Sequence, residues 1–310
     1  MQRTPSIIRT IALIALALFT AANTHAGIAD DYYLVSSGDG AILRYSTDGH
    51  YIDDLVPANG NTLGNPQHMV VRNNKLYVTG YANNALSRID LATGNIEQQW
   101  QLGDARGTAF LRESTDGSEF WIGAINSNRI LRVDPDTGNI IGDLVTPGSI
   151  PGPHGILEHT DGSLLIAANN STIYRFQDEV ATPFITTTGD RPTNMLQLDD
   201  GSILVTAFVN NPSRALRRYD PVTGEDLGQF SDTQGRRADG LIRAHNGEIL
   251  AVFWGSNSIA RYSETGEYLG DFANADSGLS RPNHIIYVPT PSTTTLLIPA
   301  TLLTTRRRRA

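Results

Sequence analysis

"LYVTGYANNALSRIDLATGNI" (Leu76–Ile96) and "FWIGAINSNRILRVDPDTGNI" (Phe120–Ile140) are two copies of one pattern. Each carries a strand-like run, a fixed arginine and a Thr-Gly turn. Followed outward, the arginine recurs in Ile42-Leu43-Arg44-Tyr45, Leu86-Ser87-Arg88-Ile89, Ile130-Leu131-Arg132-Val133, Ile173-Tyr174-Arg175-Phe176, Leu216-Arg217-Arg218-Tyr219 and Ile259-Ala260-Arg261-Tyr262. Successive arginines lie 44, 44, 43, 43 and 43 residues apart. A register held over six copies is an internal repeat, and a repeat sets the architecture before any single motif does.

Turn and strand signals divide each copy. Asp48-Gly49, Thr93-Gly94, Thr137-Gly138, Thr223-Gly224 and Thr265-Gly266 offer the positive φ that a tight hairpin needs. The fourth copy has Asp178-Glu179-Val180 there, which predicts a looser hairpin. Upstream of the arginine lies one apolar run, such as Leu76-Tyr77-Val78-Thr79 or Ile249-Leu250-Ala251-Val252. Before that lies another, such as His68-Met69-Val70-Val71 or His154-Gly155-Ile156-Leu157. That makes four short strands per unit, with no competing helical period.

Four-stranded antiparallel units of about 40–45 residues are the blades of a β-propeller. The chain enters at Tyr32-Tyr33-Leu34-Val35, which aligns with second strands, so the first blade lacks its innermost strand. A surplus strand, His284-Ile285-Ile286-Tyr287, aligns with the innermost ones. Pairing the two would close the ring and remove its open edges. The expectation is an all-β, six-bladed β-propeller over residues 27–287, closed by its C-terminal strand. The six arginines, common to every blade, read as structural, each pairing with a neighbouring blade's carboxylate or backbone.

The two quoted copies resemble the YVTN repeat of surface-layer β-propellers. "PHGILEHTDGSLLIA" (Pro153–Ala167) is similar to NHL-type and streptogramin-lyase-type propellers. Pro192-Thr193-Asn194 and Ala238-Asp239-Gly240 resemble the Asn and Asp metal-ligand positions of SMP-30-like (gluconolactonase-like) hydrolases. These resemblances imply a propeller more firmly than any one activity.

A site is expected where inner strands begin, at one mouth of the central channel. The opening residues of the six inner strands are His284, His68, Thr108, His154, Asn194 and Asp239. The residues closing the second strands are Ser37, Tyr81, Ile125, Asn169, Phe208 and Trp254. From alternate blades, His68, His154 and Asp239 form an N/O set that could hold a divalent cation. Tyr81, Phe208 and Trp254 offer flat faces suited to sugars at a wet mouth. "DPDTGN" (Asp134–Asn139) has the look of a calcium loop but stands where other copies have a plain hairpin. No nucleophile–base pair is legible.

Composition and the chain ends bear on location. The 310-residue chain has 24 Lys+Arg against 32 Asp+Glu, a net charge of −8, and no cysteine. That excludes disulfides and thiolate metal sites and argues against a nucleic-acid partner. Residues 1–26, with Arg3 and Arg9, an apolar Ile11–Phe19 stretch and Thr24-His25-Ala26, read as a signal peptide. Residues 288–310 are similar to PEP-CTERM sorting signals: Val288, Pro289 and Pro291, a short apolar Leu296–Leu303 segment, then Arg306, Arg307, Arg308 and Arg309. That resemblance implies export, a brief membrane contact through the tail with the arginines held inside, and an exosortase-type processing partner. Losing both ends removes six arginines and no acids, taking −8 to −14. The expected protein moves from the periplasm or envelope to the cell surface or medium, and binds or scaffolds without catalysis. Exopolysaccharide and surface proteins are the expected partners. The alternative is a metal-dependent hydrolase or lactonase working at the channel mouth.

Intact mass of the exported protein checks the sorting expectation. Processed protein should end near Pro291, and neutral replacement of Arg306–Arg309 should weaken retention at the membrane. Protein reaching the medium with all four arginines would overturn it.

Overall fold

The computed structural model describes residues 30–187, 189–208, 215–233 and 236–290. The expected signal peptide, Pro291 and Arg306–Arg309 lie outside these residues. The described chain is all-β, arranged as six sheets of four antiparallel strands. Blade 1 joins Tyr32–Ser37, Ile42–Ser46 and Tyr51–Val56 to the last strand, Pro282–Val288, its innermost member. The register runs from Tyr32 opposite Val288 to Ser36 opposite His284, so the C-terminal strand closes the ring as the sequence predicts. The other inner strands are Pro66–Arg72, Thr108–Glu113, Pro153–Glu158, Pro192–Gln197 and Ala238–Arg243, in blades 2 to 6.

Alternation along the strands builds the core between blades rather than within them. Tyr32 and Leu34 point toward Met69, Leu76 and Val78 of blade 2. Their neighbours Tyr33 and Val35 point toward Leu250, Val252 and Phe272 of blade 6. The same division gives one apolar wedge at each blade junction, six in all among the described residues. Strand Tyr32–Ser37 is consequently buried on both faces, unlike a strand with one side in water. The Gly turns fit this packing: Gly94 has φ 70°, and a Cβ there would lie 1.8 Å from the Leu55 carbonyl oxygen of blade 1.

Two expectations need correction. The repeat arginines form their ion pairs within their own blades: Arg44 with Asp53, Arg88 with Glu97, Arg132 with Glu119, Arg175 with Asp161, Arg218 with Asp200 and Arg261 with Glu248. Among the described residues, Arg175 alone also meets the expected neighbour's backbone, at Pro221 O of blade 5 (3.5 Å). Their carboxylates stand on strands or turns of the same sheet, within reach of a guanidinium that need not cross the apolar wedge. The fourth hairpin is tighter, not looser. Asp178 and Glu179 both take positive φ (50° and 63°), and Gln177 pairs with Val180 across a two-residue turn. As for the calcium-like loop, Asp134 Oδ1 accepts the N–H groups of Asp136 and Thr137, as Asp90 and Asp220 do in their own hairpins.

The ends meet beyond the closing strand. Asp31 accepts hydrogen bonds from the Tyr287 hydroxyl and from Thr290 N (2.9 Å) and Oγ1 (2.8 Å). The Tyr287 bond leads these in holding the Asp31 carboxyl down at about 2. Val288 is buried against Tyr32, so the propeller's contacts run past residue 287.

A chain ended after Asp276 loses the inner strand of blade 1. It should lose cooperative unfolding, because two apolar wedges and a full strand pair open together. Calorimetry showing an unchanged transition would contradict six-fold closure.

Candidate functional site

Every inner strand begins with a bulge. Pro66 pairs with Gly80, yet Met69 pairs with Val78, so one residue of the inner strand is surplus. The same extra residue occurs after Thr108, Pro153, Pro192, Ala238 and Pro282. A bulge leaves backbone groups off the ladder, and hydroxyls of the second strands take them up. Ser36 Oγ accepts His284 N (3.0 Å), Thr79 Oγ1 accepts His68 N (3.2 Å), and Thr206 Oγ1 accepts Asn194 N (2.9 Å). Other bonds tie one inner strand to the next, Asn283 Nδ2 to Pro66 O (2.9 Å) and Thr193 Oγ1 to Asp239 O (2.9 Å), and Ser36 Oγ of blade 1's second strand reaches Gln67 O of the next inner strand (2.7 Å).

The bulges split the expected ring into two tiers. Register places Gln67, Ala109, His154, Thr193, Asp239 and Asn283 one step into their strands. His68, Phe110, Gly155, Asn194, Gly240 and His284 stand one step further. Thr108 belongs to neither tier: it is buried, and its hydroxyl donates to Gly80 O (2.9 Å). Phe110 takes the place in the channel expected of Thr108. His68, His154, Asn194 and Asp239 do line one cavity, with Gln67, Thr193 and Asn283 beside them. It holds about 10 Å³, room for one water at most.

The cavity's side chains are committed unevenly. His68 is stacked between His284 (3.5 Å between ring centroids) and Phe110 (4.4 Å). Neither of its ring nitrogens has a hydrogen-bond partner. Asn194 Oδ1 accepts the Met195 N–H (2.8 Å). His154 Nδ1 lies 3.0 Å from Thr193 O, so this nitrogen carries the proton and Nε2 keeps its lone pair. Burial holds His154 down at about 4, His284 at about 3, and His68 well below the usual histidine value. Burial likewise pushes the Asp239 carboxyl up to about 7. Among the described residues no three His, Asp or Glu side chains gather as a metal-ligand set. His68, His154 and Asp239 therefore share a cavity without forming the cation cage expected of them.

Above the cavity, the second expected ring does sit at the same mouth. The N–H groups of Tyr81, Ile125, Asn169 and Phe208 bond to the carbonyls of Asn65, Gly107, Gly152 and Arg191, each just before an inner strand. Its members then differ. Ser37 and Ile125 are buried, and Asn169 is exposed. Tyr81 is half-buried and its hydroxyl accepts from Asn126 Nδ2 (3.2 Å). Phe208 and Trp254, both half-buried, meet edge to face at 5.7 Å. Arg191 and Arg237 each lie 5.4 Å from the Phe208 ring centroid.

One positioning device escaped the sequence reading. Asn84, Asn128 and Asn257, all at positive φ, accept the N–H of Gly107, Gly152 and Arg281 (2.7, 2.8 and 2.7 Å). Each thereby clamps the entry to the next blade's inner strand. Their signal was present: each stands four residues before a repeat arginine.

No protein-family model matches this sequence, and no curated protein is significantly similar to it. Solved structures share its fold. Virginiamycin B lyase from Staphylococcus aureus is 23% identical, with 75% of this chain and 72% of that one covered at a TM-score of 0.52. A chain of the nidogen/laminin complex is 12% identical, covering 83% and 98% at 0.65. The calcium-binding protein regucalcin from Agrobacterium tumefaciens str. C58 is 19% identical, covering 67% and 74% at 0.53. At these identities the likeness is one of fold.

The channel's titratable groups act on stability with opposite signs. The three histidines, lowered in the fold, contribute stability above about pH 6.5 that is lost as pH falls toward 4. Asp239, raised to about 7, contributes stability below about pH 4 that is lost as pH rises through 7. Asp239→Asn removes the second effect alone. Its stability relative to the parent should rise between pH 4 and 7, by up to about 4 kcal/mol, and then level off. Denaturant titrations across that range check this, and a constant difference would mean a solvated carboxyl.

Proposed function

We propose that this is an exported binding or scaffold propeller that holds a saccharide at the channel mouth without reacting with it. The observation behind this reading is the Phe208–Trp254 pair, half-buried at the mouth over a channel with room for one water. An amphipathic ring held by a second ring keeps its orientation when a flat polar ligand docks, so little side-chain freedom is lost on binding. A ligand larger than water stays above the channel, away from His154 Nε2 and Asp239. The chain of the nidogen/laminin complex shows the same fold within a protein–protein assembly. The signal-peptide pattern and the PEP-CTERM-like tail support delivery to the envelope, through an exosortase-type enzyme, and onward to the surface or matrix.

A second reading, a hydrolase or lyase, draws on the names of two neighbours, a lyase and a calcium-binding protein. Its support in this chain is His154, whose free Nε2 could take a proton, beside Asp239, whose carboxyl could give one near neutral pH. A divalent cation does not fit the residues present. Asn194 Oδ1 holds its own backbone, and among the described residues no three His, Asp or Glu side chains gather closely enough to share an ion. We therefore derive no step through a metal.

The binding reading is checked by calorimetric titration of the exported propeller with oligosaccharides. Trp254→Ala should weaken binding about tenfold or more while the melting temperature holds. His154→Ala should leave affinity unchanged. Affinity that ignores Trp254, or turnover that requires His154, would favour the second reading.

A further inference from the structure

The chain is acidic, and most of its described arginines are paired with acids. Of the sixteen described arginines, twelve form ion pairs with Asp or Glu. The four that do not, Arg106, Arg191, Arg237 and Arg281, all lie at one place. Arg191, Arg237 and Arg281 each stand one residue before an inner strand, in blades 5, 6 and 1, and Arg106 two residues before that of blade 3. That place is the channel mouth. In a chain with 32 carboxylates, four unpaired guanidiniums gathered at one opening are not a solvated scatter.

Local geometry keeps them unpaired. The mouth carboxylate of Asp39 is taken by the Ala41 N–H, and that of Asp104 by Arg129. Arg281 is fixed through its own N–H on Asn257 Oδ1. Arg191 and Arg237 flank the single ring of Phe208 at 5.4 Å each, which brings two like charges to one ring. Trp254 stands against the same ring. A guanidinium matches a carboxylate or sulfate through two parallel hydrogen bonds, and more strongly in a cleft than in open water. Guanidiniums without an ion-pair partner at the mouth also steer anions toward it.

We infer that the mouth selects an acidic saccharide: its ring lies against Trp254, and its carboxylate or sulfate group is held by Arg191 and Arg237. This rests on the saccharide reading above and adds the charge of the ligand. Arg281, next along the rim, would meet a second acidic unit.

The probes are a linear hexamer of galacturonic acid, a sulfated hexamer of galactose, its neutral counterpart and inorganic sulfate, each titrated into the exported propeller at two salt concentrations. The acidic hexamers should bind about tenfold or more tighter than the neutral one, with affinity falling as salt rises. Their relative strength tells which anionic group is preferred. Arg191→Gln with Arg237→Gln should erase the difference between acidic and neutral hexamers measured on that same variant, with the melting temperature unchanged. Arg88→Gln, which removes one charge far from the mouth, should change nothing. Equal binding of acidic and neutral hexamers, indifferent to the arginine variants, would overturn the charge selection and leave the saccharide reading intact. Binding of inorganic sulfate alone, with no hexamer bound, would overturn both.

Discussion

Six inner strands converging on one axis must satisfy their backbone groups where each leaves its own ladder. The surplus residue after Pro66, Thr108, Pro153, Pro192, Ala238 and Pro282 is where that demand is concentrated. A buried, unpaired N–H costs about as much as a lost hydrogen bond, so the surrounding polar side chains are recruited first as structural partners. Ser36, Thr79 and Thr206 take up their own blades' bulges, and Thr108, Thr193 and Asn283 bond to backbone of a neighbouring blade. Much of what looks like a polar active site in the sequence is therefore the lining that lets the strands meet. Among the described channel side chains, both ring nitrogens of His68, His284 Nδ1, His154 Nε2 and the Asp239 carboxyl are left over.

The same economy appears in the charges. Repeat arginines are matched inside their blades, which lets each apolar wedge stay dry. Further pairs, such as Arg72 with Glu113 and Arg112 with Glu158, join the far ends of successive inner strands. Exposed pairs of this kind contribute little individually. Their larger effect is that, among the described residues, the arginines without an ion pair are those at the mouth.

The sequence made the fold legible because a blade is a local unit with its own turn and its own arginine, and periodicity counts such units. Closure was legible from one missing and one surplus strand. The site was legible only in outline. A bulge adds one residue without disturbing the 43- or 44-residue spacing, so aligning opening residues mixed the two tiers and placed Thr108 where Phe110 stands. The Asn84, Asn128 and Asn257 clamps keep register with the repeat but were masked by glycine, serine or arginine at the equivalent position of other blades. Arg106, Arg191, Arg237 and Arg281 do not repeat at all, and only the ring brings them together. The fourth hairpin shows the limit of reading by residue type, since Asp178 and Glu179 adopt the backbone expected of glycine.

The closing strand runs from the mouth at Pro282 to the opposite face at Val288, where Asp31 and Thr290 are joined. Thr290, where the described chain ends, therefore lies on the face opposite the mouth. A pull applied between the mouth and Thr290 would act lengthwise along this strand. It draws Pro282–Val288 past Tyr32–Ser37 with every rung from Tyr32–Val288 to Ser36–His284 loaded at once. Sliding of that kind meets more resistance than peeling the rungs apart singly, so the last strand to join the ring is also placed to transmit mechanical load.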